Sequence, residues 1–189
     1  NILIEKSIDK FKVDFVVDFS TPNSALKIVH QAHDLKIPFV TGTTGFTSTQ
    51  LKKLQLLSKK IPILQSYNMS VGVNVVLKIL KENISYFETT DIEITEKHHK
   101  NKIDSPSGTA ILIGNTIQKS AKKKFEISIS SIRQGNIVGE HTIASFGNKE
   151  NIYITHEAID RAIFANGALM MGKELLKKRK GFYSVLDLL

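Results

Sequence analysis

The first third of the chain alternates between short apolar runs and longer segments with apolar residues at helical spacing. Val13-Asp14-Phe15-Val16-Val17-Asp18-Phe19 is β-branched, aromatic and mostly apolar on both faces, the pattern of a buried parallel strand. Ser20-Thr21-Pro22 supplies a cap and a proline for a first helical turn, and Ala25, Leu26, Ile28, Val29, Ala32 and Leu35 follow at helical spacing. Ile37 to Thr41 predicts a second strand that runs into Gly42-Thr43-Thr44-Gly45, after which Thr47 or Ser48 caps a helix carrying Leu51, Leu54, Leu56 and Leu57. Ile61 to Leu64 predicts a third strand, ending at Gln65-Ser66-Tyr67-Asn68. Strand, loop and helix in repetition predict a parallel sheet with covering helices.

After Ser70 the rhythm changes. A long helix from Val71 to about Tyr86 leads to Asp91-Ile92-Glu93-Ile94-Thr95-Glu96, a strand of strict alternation. A loop and a helix follow, then segments 126–133, 137–146 and 150–156, which alternate apolar and polar positions around turns at Gly135-Asn136 and Gly147-Asn148. These predict a mixed or antiparallel sheet with one covered face. The last helix, about Arg161 to Lys178, is expected to return to the first sheet through Ile163, Phe164, Ala168, Leu169, Met171 and Leu175. No repeat or Pro/Gly-rich linker separates the two parts.

Composition narrows the classes. The chain has 189 residues, 41% hydrophobic and 23% charged, and no apolar stretch near the roughly 20 residues of a membrane span, so no membrane association is expected. Without cysteine, disulfides, thiolate metal sites and cysteine nucleophiles are excluded. The N-terminal residues show neither a secretory leader nor an initiating Met, which reads as a cytoplasmic protein whose given sequence starts mid-protein. The net charge of +8 includes runs at Lys122-Lys123-Lys124 and Lys177-Lys178-Arg179-Lys180. Both fall near predicted helix C-termini, where cations oppose the helix dipole, and aromatics are only 7% of residues. The charge therefore reads as an attraction for small anions, with no nucleic-acid partner.

The chemistry is concentrated in Glu96-Lys97-His98-His99-Lys100-Asn101-Lys102-Ile103-Asp104-Ser105-Pro106-Ser107-Gly108-Thr109-Ala110, which joins a strand end to a helix start. Two imidazoles and a nearby ammonium exchange protons near neutral pH, and a helix N-terminus at Pro106-Ser107-Gly108-Thr109 presents backbone amides. Together they suit a small carboxylate substrate that must be protonated. A continuing strand sends His98 and His99 to opposite faces, and there is no HExxH-type spacing, so no metal site is expected. His30, His33, His141 and His156 read as structural or surface residues; Arg161 either anchors the domain junction or approaches the substrate.

As a string, the segment from Glu96 to Ala110 closely resembles the Glu-x-His-His-x-x-Lys-x-Asp-x-Pro-Ser-Gly-Thr-Ala signature of dihydrodipicolinate reductases. Asp18-Phe19-Ser20-Thr21-Pro22, Gly42-Thr43-Thr44-Gly45-Phe46, Asn68-Met69-Ser70-Val71-Gly72-Val73-Asn74, Ile137-Val138-Gly139-Glu140-His141-Thr142 and Phe164-Ala165-Asn166-Gly167-Ala168 resemble the same family in the same order. The resemblance implies an α/β fold. A Rossmann-like parallel-sheet domain, incomplete at its N-terminus, spans 1–69 and 162–189, and an α+β substrate-binding and tetramerisation domain with a mixed sheet spans 70–161.

It further implies NADH- or NADPH-dependent reduction of a cyclic unsaturated dicarboxylate in diaminopimelate and lysine synthesis, by a homotetramer. His98 and Lys102 are then proton donors, His99, Gly108 and Thr109 bind substrate, and Gly42, Thr43, Thr44, Ser66, Tyr67, Asn68 and Met69 line the cofactor. The family's fold opens with a glycine-rich phosphate loop, whereas residues 1–12 hold no glycine, so the alternative is a catalytically inactive fragment that only binds dicarboxylate and oligomerises. A different two-domain oxidoreductase, such as an aldehyde or homoserine dehydrogenase, fits poorly with the His-His-x-x-Lys string and the lack of cysteine.

Overall fold

The computed structural model describes residue 8, residues 12–123 and residues 125–189. The glycine-free N-terminal stretch, read as lacking the family's phosphate loop, lies outside those residues apart from Ile8 and Lys12, as does Lys124 of the first lysine run. In chain order the elements are β1 (Val16–Asp18), α1 (Pro22–Asp34), β2 (Phe39–Thr41), α2 (Ser48–Leu57), β3 (Pro62–Gln65), α3 (Val71–Glu82) and α4 (Ile84–Phe87). They continue with β4 (Asp91–His98), α5 (Gly108–Ser120), β5 (Ile127–Arg133), β6 (Gly139–Phe146), β7 (Asn151–Ala158), α6 (Ala162–Leu175) and β8 (Gly181–Tyr183). They form two compact units, residues 1–71 with 164–189 and residues 72–163.

The first unit is a parallel sheet of order β1-β2-β3-β8. Its helices start where the sequence places their caps. The Thr21 side chain accepts from the Ser24 amide ahead of Pro22, and Thr47 forms a reciprocal capping box with Gln50. The sheet buries both faces. Phe39 and Ile63 pack with Ala25, Val29, Ala32 and Leu54 of α1 and α2, while Val40 and Leu64 pack with Ala168, Met171 and Leu175 of α6. The last helix thus returns to the first sheet as expected.

Several boundaries differ from the sequence reading, most of all in β1, α3 and α6. Only Val16–Asp18 of the stretch 13–19 pairs, in register with Phe39–Thr41. The helix from Val71 stops at Glu82, where Asn83 leaves helical geometry (φ −111°, ψ 21°) with its backbone amide and its side chain both donating to the Ile79 carbonyl, and α4 follows as a separate turn. The last helix is shorter at both ends than 161–178, with the Asp160 carboxylate accepting from the Ala162 amide at 2.8 Å. The short strand β8 was not predicted, because three residues carry no readable period.

The second unit holds a sheet of order β5-β4-β6-β7. β5 runs parallel to β4 after the crossover through α5, and β6 and β7 are antiparallel, so the sheet is mixed. Alternation along β4 puts Ile92, Ile94, Glu96 and His98 on the covered face with Ile143 of β6, and Ile113 and Ile117 of α5 are also buried. The opposite face is a polar lattice, in which Ser130 donates to Glu93 at 2.9 Å, the Thr142 and Thr155 hydroxyls meet at 2.9 Å, and Lys97 pairs with Glu140 at 2.7 Å. Among the described residues no helix is long and apolar enough to cross a membrane.

Candidate functional site

Within the second unit, β4 begins its buried face with isoleucines and ends it with Glu96 and His98. Register completes the cluster. His141 of β6 lies opposite Glu96, and Arg133 of β5 lies opposite His98. Glu96 is fully buried (0% exposed). Its carboxylate accepts from Arg133 Nη2 at 2.6 Å, Arg133 Nη1 at 2.9 Å and the Ser107 amide at 3.1 Å, and it bonds His98 Nδ1. Burial alone would raise this carboxyl, but hydrogen bonds from Arg133, Ser131, His98 and Ser107 outweigh it and hold the group at about 2.

A carboxylate ionised at neutral pH can only accept, so His98 must donate from Nδ1, which leaves Nε2 to exchange a proton. Burial pulls the His98 imidazole below its ordinary value, Glu96 opposes that, and Lys102 and Arg133 add to it. His141 is buried more deeply in effect. Desolvation, then the charge of His98, lower it to about 4, so it is neutral at physiological pH. Its ring meets His98 edge to face at 5.2 Å, and its Nε2 shares a 3.0 Å hydrogen bond with Ser107 Oγ.

Glu96, His98 and His141 bring their ligand atoms within 4.8 Å of one another, a spacing a metal ion could use. Arg133 argues against that use, since its guanidinium already forks onto the carboxylate and supplies the positive charge a cation would bring. The sequence reading considered the adjacent pair His98 and His99, whereas alternation joins His98 to Glu96 and the register joins both to His141.

The five predicted substrate-site residues lie on one strand end, one loop and one helix start. His99 Nε2 lies 3.1 Å from Arg161 Nη2 and must accept, because a guanidinium has no acceptor. The Lys102 ammonium bonds Asp104 at 2.7 Å, and this bond, with further support from the Gly108 amide, lowers the Asp104 carboxyl. Ser107 caps α5 through the Ala110 amide, so Gly108 and Thr109 form the first positions of that helix, Gly108 exposed and Thr109 half-buried. An incoming carboxylate would compete with Asp104 for the same two donors, an ammonium and a helix-terminal amide.

The residues expected to line the cofactor sit in the first unit, at the carboxyl ends of β2 and β3, the edge of a parallel sheet that receives ligands. Asp18 (3% exposed) organises this edge. It accepts from the Thr41 and Thr43 hydroxyls, each at 2.7 Å, and from the Ser20 amide and hydroxyl. A Cβ at Gly42 would stand 2.2 Å from the exposed Phe19 ring, which would have to swing aside to admit it. Phe19 and Tyr67, 52% and 54% exposed, present their rings beside these loops, and the buried Gln65 Nε2 has no partner among the described residues.

That edge fits a nicotinamide nucleotide, with exposed aromatic faces, an unused amide donor and a glycine whose backbone a ligand can approach closely. Gly42, Thr44, Ser66 and Tyr67 are accessible in whole or part, whereas Thr43 is engaged by Asp18 and Met69 lies in the core. Asn68 is also buried, its carbonyl oxygen accepting from the Ser70 amide at 2.9 Å. Residues of this last kind offer backbone rather than side chains.

Sequence reasoning did not assign Glu96, Arg133, Ser107 or His141 to the site. Glu96 and Ser107 stand inside the quoted signature, and His141 in a second matching segment. For Arg133 the local sequence gives no signal, because only strand register brings it there.

A parallel-sheet unit with a ligand-facing edge, together with a mixed-sheet unit carrying imidazoles, an ammonium and a helix start, defines a two-unit α/β oxidoreductase. A probable dehydrogenase from Thermotoga maritima shares this fold with a TM-score of 0.63, at 12% identity over 93% of this chain and 74% of that one. Family models narrow the class. The model for the N-terminus of dihydrodipicolinate reductase matches residues 2–69, and that for its C-terminus matches residues 72–189.

Curated 4-hydroxy-tetrahydrodipicolinate reductases are similar over the whole chain. That of Buchnera aphidicola subsp. Cinara cedri is 42% identical over 100% of this chain and 76% of its own length. The corresponding protein of Thermosipho africanus is 40% identical over 100% of this chain and 85% of its own. A dihydrodipicolinate reductase from Paenisporosarcina sp. TG-14, solved with dipicolinate bound, shares the fold with a TM-score of 0.82, at 24% identity over 93% of this chain and 74% of that one. The chain belongs to the dihydrodipicolinate reductase family, nicotinamide-dependent oxidoreductases of diaminopimelate and lysine synthesis.

Proposed function

We propose that this chain reduces 4-hydroxy-tetrahydrodipicolinate to tetrahydrodipicolinate, with His98 and Lys102 as proton donors. The observation that carries the reading is the end of β4. There an imidazole with one committed nitrogen stands in the same short segment as an ammonium and a helix start that receive carboxylates. Similarity to reductases over the full chain supports turnover rather than the inactive-fragment alternative.

The substrate loses its hydroxyl as water, and the ring gains a hydride and a proton. A reduced nicotinamide nucleotide, NADH or NADPH, supplies the hydride when bound and leaves oxidised. Gly42, Thr43, Thr44, Ser66, Tyr67, Asn68 and Met69 would hold it at the sheet edge. Gly108 and Thr109 amides bind one carboxylate of the cyclic dicarboxylate, as α5 opens with its dipole toward the anion. Lys102 leaves Asp104 to meet the substrate's charge, and His99, steadied by Arg161, contacts substrate beside it.

Hydride addition to a conjugated imine makes an electron-rich enamine, and the proton it needs comes from His98 Nε2 and Lys102. The polar, uncovered face of β5 and β7, with Ile132 and Tyr153 exposed, supports assembly as a homotetramer. The test is the rate of nucleotide oxidation with the 4-hydroxy substrate. His98→Gln and Lys102→Ala should each lower kcat by about 10²- to 10⁴-fold, the usual scale of general acid catalysis. Wild-type kcat in both would contradict the assignment.

A further inference from the structure

We infer that Glu96 is the positioning residue of this site: clamped by Arg133 and the Ser107 amide, it fixes the Nδ1–H tautomer of His98 and commits Nε2 to proton exchange. The inference rests on the proton-donor role given to His98 above and adds how that role is enforced.

Glu96 would hold its place without His98. Oε1 accepts from Arg133 Nη2 and the Ser107 amide, Oε2 accepts from Arg133 Nη1, and His98 is a further donor to Oε2. The carboxylate is therefore fixed by two elements, β5 and the start of α5, and the imidazole is oriented against it. Because Ser107 also caps α5, the same bond ties the proton donor to the helix whose Gly108 and Thr109 amides are assigned to the substrate carboxylate.

The far side of the ring is kept clear. A Cβ at Gly139, opposite on β6, would lie 2.9 Å from His98 Nε2, so glycine there leaves that nitrogen its space. His141 flanks the ring edge to face and is occupied with Ser107 Oγ.

The charges facing His98 are Glu96 on its own strand, Arg133 from β5 and Lys102 from the loop, with neutral His141 from β6. Among them Glu96 favours the imidazolium, while Arg133, Lys102 and burial disfavour it. Glu96 thereby keeps a buried imidazole able to carry the proton it delivers. A carboxamide at this position would be expected to present its amino group to Nδ1 and reverse the tautomer.

The experiment is a pH titration of the protein labelled with ¹⁵N-histidine, with His98 assigned by its disappearance in His98→Gln. In the wild type at high pH, Nδ1 of His98 should be protonated and Nε2 bare. In Glu96→Gln the titration of His98 should move down by at least about one pH unit, the scale of a neighbouring charge. The basic limb of kcat should move down with it, while KM for the dicarboxylate changes little. A protonated Nε2 and bare Nδ1 in the wild type would overturn the inference, and needs no variant to fold. So would an unmoved His98 titration in folded Glu96→Gln. Full turnover in His98→Gln would remove the role on which the inference rests, a failure told apart by a wild-type tautomer that still reads as Nδ1–H.

Discussion

Each unit buries one carboxylate at the carboxyl end of a strand, and the two are satisfied in opposite ways. Asp18 at the end of β1 takes hydroxyl and amide donors from Ser20, Thr41 and Thr43, all neutral. Glu96 near the end of β4 takes a guanidinium fork, an imidazole and a helix-cap amide. Neutral donors suffice to pin in place the loops of the proposed cofactor edge. A charged partner and a titrating partner do more, since they fix both the geometry and the protonation of the group they hold.

The largest stability effect should come from removing the cation of the second network. Arg133→Met leaves Glu96 buried without its guanidinium and should cost about 3 to 5 kcal/mol in urea unfolding at neutral pH. The pH dependence follows from the same group. Glu96 is held at about 2 against an ordinary 4.5, so its contribution is complete above about pH 4.5 and is lost as pH falls through about 2. That window should span roughly 3 kcal/mol in the wild type, read as acid-induced loss of stability, and should flatten in Glu96→Gln.

Asp18→Ala strips the acceptor from the Thr41 and Thr43 hydroxyls and should cost about 1 to 3 kcal/mol. It should also raise KM for the nucleotide more than for the dicarboxylate, since Asp18 braces Gly42 to Thr44; equal changes in both would break the contrast between the two carboxylates. The smallest effect belongs to the open face of the second sheet. Lys97→Ala removes a half-buried pair with Glu140, on the strand that carries Glu96 and His98 but pointing the other way, and should cost about 1 kcal/mol or less with kcat unchanged.

Much of this was legible in the sequence for a physical reason. Helix starts announce themselves through local chemistry, as Thr21-Pro22 and Thr47 with Gln50 do, and alternation in Asp91 to Glu96 predicted a strand. Local signals fade where partners decide. α3 ends where Asn83 leaves helical φ and ψ, β8 is too short to show a period, and β1 is only as long as its pairing with β2. At the site, the signature named His98, His99, Lys102, Gly108 and Thr109. Arg133 and His141 reach it only through the register of β5 and β6 against β4, a long-range fact that no local pattern carries.

The central claim is that the segment from Glu96 to Thr109 receives a planar dicarboxylate. Calorimetric titration of the protein with pyridine-2,6-dicarboxylate tests it most directly, with Lys102→Ala and Thr109→Pro as partners to the wild type. Proline at the second position of α5 removes an amide while remaining compatible with a helix start. Saturable binding by the wild type, weakened at least about tenfold by either substitution, the loss of one charge-assisted hydrogen bond, is the predicted result. Equal binding by all three folded proteins, or none by the folded wild type, would contradict it.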